Sequence, residues 1–155
     1  MPALKHNIDN YPISPGADAQ SFWILAKKLS LMTERERISS IRSGFAVTWI
    51  LATKTAFDVD ESAIAGFADI SVRTLRQRLK KATLLDSQAS ERLDRLAQLA
   101  LLSENVFEAH GAAEDWMVTP NDSLGGEAPF ILCRTELGGR QAYRVLRAIE
   151  WGGPV

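Results

Sequence analysis

The stretch DWMVTPNDSLGGEAPFILCRTELGGRQAYRVLRAIEWGGPV, residues 115–155, decides how the rest of the chain is read. Trp116 precedes a Thr-Pro-Asn turn, and Pro120 disfavours helical backbone in the residue ahead of it, so any helix carrying Trp116 must stop there. Gly125 and Gly126 follow, permitting backbone angles barred to other residues. Pro129 suits the first turn of a helix and opens the apolar run Phe130, Ile131, Leu132. A second pair, Gly138 and Gly139, introduces a final helix of about residues 139–151 that buries Ala142, Val145, Leu146 and Ile149. Its other face lines up Arg140, Arg144 and Arg147, which either are simply solvated or meet an acidic patch on a partner. Trp151, Gly152, Gly153 and Pro154 end it. Nothing here has the form of a catalytic site. The stretch predicts a small helical module, its turns tightly set, with one surface offered to a partner.

Upstream, Asp86 or Ser87 caps a long helix running to about residue 108, with Ala89, Leu93, Leu96, Ala97, Ala100, Leu101 and Phe107 at helical spacing. That stripe is long enough to pack under modules on both sides, and no Pro- or Gly-rich linker interrupts it. His110 and Gly111 end this beam, and residues 112–117 make a short helix holding Trp116. Before the beam, Asp60 or the residue before it caps residues 61–68, and Ser71 caps residues 72–81. Ala68, Asp69 and Ile70 form a tight turn between them, the layout of a helix-turn-helix. Ala65 sits where crossing helices admit only a small side chain. Ile70, Leu75 and Leu79 point into the core.

The second of these helices, within SVRTLRQRLKK (residues 71–81), carries Arg73, Arg76, Arg78, Lys80 and Lys81 with no acid among them. Its outward face holds Ser71, Arg73, Thr74, Gln77 and Arg78. Arginine can grip guanine in a fork, Gln can read adenine, and hydroxyls can bind phosphate. Read blandly, the same segment is a solvated face. Asp69 stands where most such turns place glycine; aspartate tolerates left-handed backbone but brings a negative charge close to any nucleic acid.

Toward the amino terminus, Thr33 with Glu36 forms a capping-box pattern. Ile38, Ile41 and Phe45 follow, Gly44 marks a break, and a helix through residues 47–51 continues to Phe57, buried over most of its surface. Residues 19–31 space Phe22, Leu25, Ala26 and Leu29 as an amphipathic helix. Phe22 and Trp23 either both bury in the chain or leave one ring for a subunit interface. Residues 1–16, with Pro2, Pro12, Pro15 and Gly16, read as an extended arm.

Composition narrows the options. The chain has 155 residues, 46% of them hydrophobic, and a net charge of -1, enough apolar content for one core or two small units sharing one. The longest apolar stretch is about half of the ~20 residues a membrane helix needs, and no secretory signal pattern leads the chain. The lone Cys133 cannot form an internal disulfide; it suits a reducing cytoplasm and reads as a buried small hydrophobe. His6 and His110 stand far apart with no Cys or His at metal-ligand spacing, so no metal and no cofactor is expected. No phosphate loop or nucleophile elbow is present, and Glu61, Glu91, Glu108 and Glu127 read as solvated and unpartnered. An enzyme is not expected, and no catalytic residue is assigned.

The order Trp116, Pro120, Asn121, Leu124, Gly125, Gly126, Pro129, then Thr135 and Gly138, then Ile149, Glu150 and Gly152, resembles the toxin-binding domain of the MbcA/ParS/Xre antitoxins. Ser90, Arg92, Leu93, Arg95 and Leu96 are similar to a further pattern of that family. The resemblance spans residues 37–152. It implies an all-α fold: an Xre-like helix-turn-helix bundle joined by a long helix to a small helical toxin-binding domain. The expected layout is an arm and short helix (1–36), a DNA-binding region (37–85), a connecting helix (86–110) and the toxin-binding domain (111–155).

The resemblance further implies an antitoxin of a type II toxin-antitoxin system whose partner is a RES-domain toxin that acts on NAD or ADP-ribosylates a target. Operator DNA of its own operon is the second expected partner, bound by a homodimer within a toxin-antitoxin hetero-oligomer, with no membrane. The DNA set is Ser71, Arg73, Thr74, Arg76, Gln77, Arg78, Lys80 and Lys81. The toxin set is Trp116, Pro120, Asn121, Leu124, Gly125, Gly126, Pro129, Arg140, Arg144, Arg147, Glu150, Trp151, Gly152 and Val155. In this reading the tail, with the aromatic Trp151 and a carboxylate on Val155, enters a pocket that otherwise takes an anionic dinucleotide. Two alternatives stand beside it: a transcriptional regulator whose C-terminal module only dimerises, and an antitoxin whose helix-turn-helix has lost DNA binding.

Overall fold

Asp86 starts the longest helix by accepting a hydrogen bond from the Ala89 backbone, and the helix that follows, α6 (Ser87–Phe107), is the axis of the molecule. The computed structural model describes residues 19–152. In chain order they form α1 (Ala19–Leu31), α2 (Glu34–Ser43), α3 (Thr48–Phe57), α4 (Glu61–Phe67), α5 (Val72–Lys81), α6, α7 (His110–Val118), a 3-10 turn (Asp122–Leu124), α8 (Pro129–Leu132) and α9 (Glu136–Glu150). Among the described residues there is no strand, only isolated bridges between Ala46 and Leu84 and between Asn121 and Glu127. The fold is all-α.

α6 buries Leu93, Leu96, Ala97 and Ala100 completely, each large aliphatic side chain stabilising by about 1.5–3 kcal/mol. It packs against α1 and α2 on one side of the chain and α7 and α9 on the other, the beam that its long apolar stripe predicts. Leu101 and Phe107 are only partly buried, while Ser90, Asp94 and Ser103 are inside. Each of these three buried polar side chains is satisfied, Ser103 by donating to the Ala100 carbonyl. Ser90 accepts the Phe45 N–H at 2.8 Å, and Asp94 takes the Arg37 guanidinium in a fork with both contacts at 3.0 Å. That fork holds α2, a helix with no buried residue of its own. The expectation of burial from Ile38 onward therefore applies to α3 and not to α2, where Ile38 stays half exposed.

Both rings of Phe22 and Trp23 are buried within the chain. Phe22 packs edge-on to Trp49 and Phe57, whereas Trp23 stacks flat on His110 and donates to Glu114 of α7 at 2.8 Å. The segment before α1, including His6, lies outside the described residues.

Two helix boundaries differ from expectation. α6 ends at Phe107 because Glu108 takes a left-handed conformation (φ 57°), so His110 and Gly111 begin α7 instead of closing the beam. α9 begins at Glu136, capped by Thr135, and so contains Gly138 and Gly139. Those glycines do not introduce the helix; they let it approach its neighbours. A Cβ on Gly138 would lie 2.2 Å from the Leu132 carbonyl oxygen, and one on Gly139 would lie 2.6 Å from Cδ of Arg95. Ala142 and Leu146 are fully buried as predicted, with Val145 and Ile149 only partly so.

Candidate functional site

The expected DNA set lies on α5 and its Ser71 cap, and the arginines of the toxin set lie on α9; the two helices stand on different supports. α5 packs on α4; α9 packs on α6 and α8. The α4–α5 corner is built as a helix-turn-helix. Asp60 caps α4 and Ser71 caps α5. Asp69 adopts φ 57° between them, and the Ile70 N–H reaches back to the Ala65 carbonyl at 3.0 Å. The aspartate supplies the left-handed step that glycine would otherwise take. Ala65 is 1% exposed, which is why no larger side chain fits the crossing. Leu75 is the one fully buried residue of α5, with Val72 and Leu79 partly buried beside it.

On the opposite face, Arg73, Gln77, Lys80 and Lys81 are exposed and have no partner among the described residues, and Arg78 is half-buried. Ser71 donates its hydroxyl to Thr74 Oγ1 at 2.9 Å while accepting the Thr74 N–H. The Thr74 hydroxyl keeps its own proton, which a phosphate oxygen could accept. Arg76 differs from its neighbours. Its guanidinium forks onto Glu61 of α4 with both contacts at 2.8 Å. These hydrogen bonds hold the Glu61 carboxyl below its ordinary range and raise Arg76. The linear pattern suggests an unpartnered Glu61 and a free Arg76, and the structure corrects both, because the two lie on different helices that meet only in the fold. Glu91 is likewise paired, with Arg95 at 3.6 Å.

The C-terminal set divides into framework and surface. Asn121 accepts the Ser123 N–H through its side chain, and its backbone bridges to Glu127. Gly125 and Gly126 take φ 68° and 82°, the left-handed angles the turn needs. Leu124 and Pro129 are buried within the platform. Trp116 is half-buried against Phe107. Cys133 is inside, its thiol pushed up to about 12 by burial. Pro120, Gly125, Gly126, Arg140, Arg144, Glu150, Trp151 and Gly152 are exposed; Val155 lies outside the described residues.

The three arginines of α9 are not equivalent. Arg140 pairs with Glu136 at 2.6 Å. Arg147 pairs with Glu150 at 2.6 Å, bonds the Tyr143 hydroxyl and lies over its ring; the Glu150 and Tyr143 bonds raise its pKa. Arg144 has no partner among the described residues. Beyond it, Trp151 is 84% exposed where the chain leaves the helix through left-handed Gly152. Sequence reasoning missed Leu137, which is 74% exposed on the same helix. Its spacing from Arg144 and Trp151 was the available signal.

No described helix is long and apolar enough to cross a membrane. Two family models match the chain in succession. The antitoxin Xre-like helix-turn-helix domain covers residues 36–98, and the antitoxin Xre/MbcA/ParS C-terminal toxin-binding domain covers residues 103–152. Neither is an enzyme family. A curated relative, Antitoxin Xre of Pseudomonas putida, is 29% identical over 125 residues, covering 79% of this chain and 76% of the relative. With both domains matched in order on an all-α fold that supplies the corner and the glycine turns, the chain belongs to the Xre/MbcA/ParS antitoxins, helix-turn-helix proteins with a C-terminal toxin-binding domain.

Proposed function

We propose that this antitoxin neutralises a RES-domain toxin that consumes NAD or uses it to ADP-ribosylate a target, and that it represses its own operon through α5. The observation that carries the first half is Trp151, a large aromatic 84% exposed at the outer end of α9, in the domain matched as toxin-binding. An aromatic so placed has the character of an interface hot spot. In this reading α9 directs residues 151–155 into the toxin's pocket, and the buried Leu124 and Pro129 keep the platform rigid behind it. The test is neutralisation in cells. A chain lacking residues 151–155 should leave a co-expressed RES-domain toxin active, and full inhibition by the shortened chain would remove the tail from the proposal. If the intact chain neutralises no RES-domain toxin, the partner assignment itself goes.

The second half rests on α5, where Arg73, Gln77, Lys80 and Lys81 are exposed and unpaired beside Ser71, Thr74, Arg76 and Arg78. A single helix-turn-helix covers little DNA, so the binding form is a homodimer on a two-fold site, within a toxin-antitoxin hetero-oligomer in the cytoplasm. Affinity for the upstream operator should fall steeply with salt. Binding that ignores salt, or no binding, would leave an antitoxin without autoregulation. The working division is a DNA-binding region at 37–85, a connecting helix at 86–110 and a toxin-binding domain at 111–155.

A further inference from the structure

The outward face of α9 has an order that its arginines alone do not convey. At about 100° per residue, Leu137, Gln141, Arg144, Ala148 and Trp151 fall in one strip along the helix. The buried Gly139, Ala142 and Leu146 lie on the opposite side. The strip has a large apolar residue at each end, Leu137 at 74% and Trp151 at 84% exposure. About 21 Å separates them at the helical rise of 1.5 Å per residue. Midway stands Arg144. Its neighbours one turn away in either direction are Arg140, Gln141, Arg147 and Ala148, so no acid on its own helix can reach it. The flanking Arg140 and Arg147 are each held by a carboxylate at 2.6 Å. The helix has neutralised the cations on either side and left one bare at the centre.

Resting on the toxin-binding reading above, we propose that this strip is the docking ridge of the antitoxin. Its occupant is a groove on the toxin with an apolar pocket at each end and a carboxylate between them, opposite Leu137, Trp151 and Arg144. Charge complementarity selects that occupant. A single uncompensated guanidinium between two apolar anchors matches one acid in an apolar groove, the arrangement by which an amphipathic helix is recognised. A nucleic acid would meet a face on which two of three arginines already hold carboxylates. Leu137 thereby gains a role, and Arg144 is set apart from Arg140 and Arg147 as the specificity-determining cation.

The experiment uses the full chain and a catalytically inactivated RES-domain toxin that the intact chain neutralises in cells, with Kd read by titration calorimetry. Arg144→Glu should weaken binding about 100-fold or more, and Leu137→Asp and Trp151→Asp about tenfold or more, the scale of interface hot spots. Arg140→Ala and Arg147→Ala, members of the toxin set whose charge is already held by a carboxylate, should each cost about threefold, well short of Arg144→Gln, as rim charges do. All five positions lie on the helix surface, and unchanged helical content and melting would show each variant folded; Arg144→Gln, expected about tenfold weaker, serves if Arg144→Glu is not. Wild-type affinity in Arg144→Glu or Leu137→Asp would overturn the ridge, as would equal losses at all three arginines. Failure of the intact chain to neutralise any such toxin would instead bring down the underlying reading, so the two failures are told apart.

Discussion

Helices α5 and α9 are both strongly amphipathic and both rich in arginine, yet they handle their charge in opposite ways. α5 contains no acid, and the one carboxylate that pairs with it among the described residues, Glu61, arrives from α4 and takes only Arg76. Arg73, Lys80 and Lys81 remain as a diffuse cationic face. α9 brings its own acids, Glu136 and Glu150, and ties up two of its three arginines along its own axis. The supports differ as well. α5 is held by Leu75 and a few partly buried neighbours, whereas α9 is pressed against α8 and α6 through two glycines with no room for a methyl group. Diffuse charge suits a polyanion, whose phosphates are everywhere and whose affinity is a sum of similar contacts. Neutralised charge on a rigid helix suits a partner protein, where shape and a few anchors decide. The same residue type serves both ends because its surroundings differ.

The largest test of that contrast acts on the support of α9. Gly138→Ala forces a Cβ to within 2.2 Å of the Leu132 carbonyl oxygen, and overpacking of this kind against backbone should cost about 3 kcal/mol. Chemical denaturation would measure it, and a variant as stable as the parent would mean α9 sits more loosely than described. Operator binding through α5 should survive wherever the variant remains folded.

Next in size is the charge of α5. Replacing Arg73, Lys80 and Lys81 together with alanine should flatten the dependence of log affinity on log salt by about one unit per cation removed. Arg76 sharpens the picture further. Arg76→Ala leaves Glu61 as a bare carboxylate beside α5, so it should bind operator more weakly than the double variant Arg76→Ala/Glu61→Ala. Equal affinities would show that the pair lies clear of the DNA.

Smaller effects test the other glycines and the left-handed turns. A Cβ added at Gly66 in α4 would meet nothing within 4 Å, and the residue has no positive φ, so Gly66→Ala should raise stability, by about 0.5–1 kcal/mol. Glu108→Gly should do likewise at φ 57°, by about 0.5 kcal/mol, since glycine relieves left-handed strain while loosening the unfolded chain. Thermal unfolding reads both, and opposite signs would refute the backbone assignments. Last, Cys133 should resist alkylation at pH 8 in the folded protein: its thiol is buried and pushed up to about 12, and only the thiolate reacts. Stability from this group is full below the ordinary thiol range and declines as pH rises toward that value. Mass spectrometry showing rapid labelling without denaturant would contradict the burial.

The sequence alone determined where most helices begin and what kind of module each end of the chain would be. Thr33, Asp60, Ser71 and Asp86 cap the helices that their local patterns assign them, and Gly125 and Gly126 bend the turn their backbone freedom suits. These are interactions within three or four residues, so the local pattern contains both partners. Only the tertiary structure decided that Arg76 is paired, because Glu61 meets it across two helices. It also decided that Trp23 would stack on His110, and that Gly138 and Gly139 lie inside α9 to let it approach Leu132 and Arg95. Each of those outcomes depends on residues that separate helices bring together, and a linear pattern carries no distance between them until the core has closed.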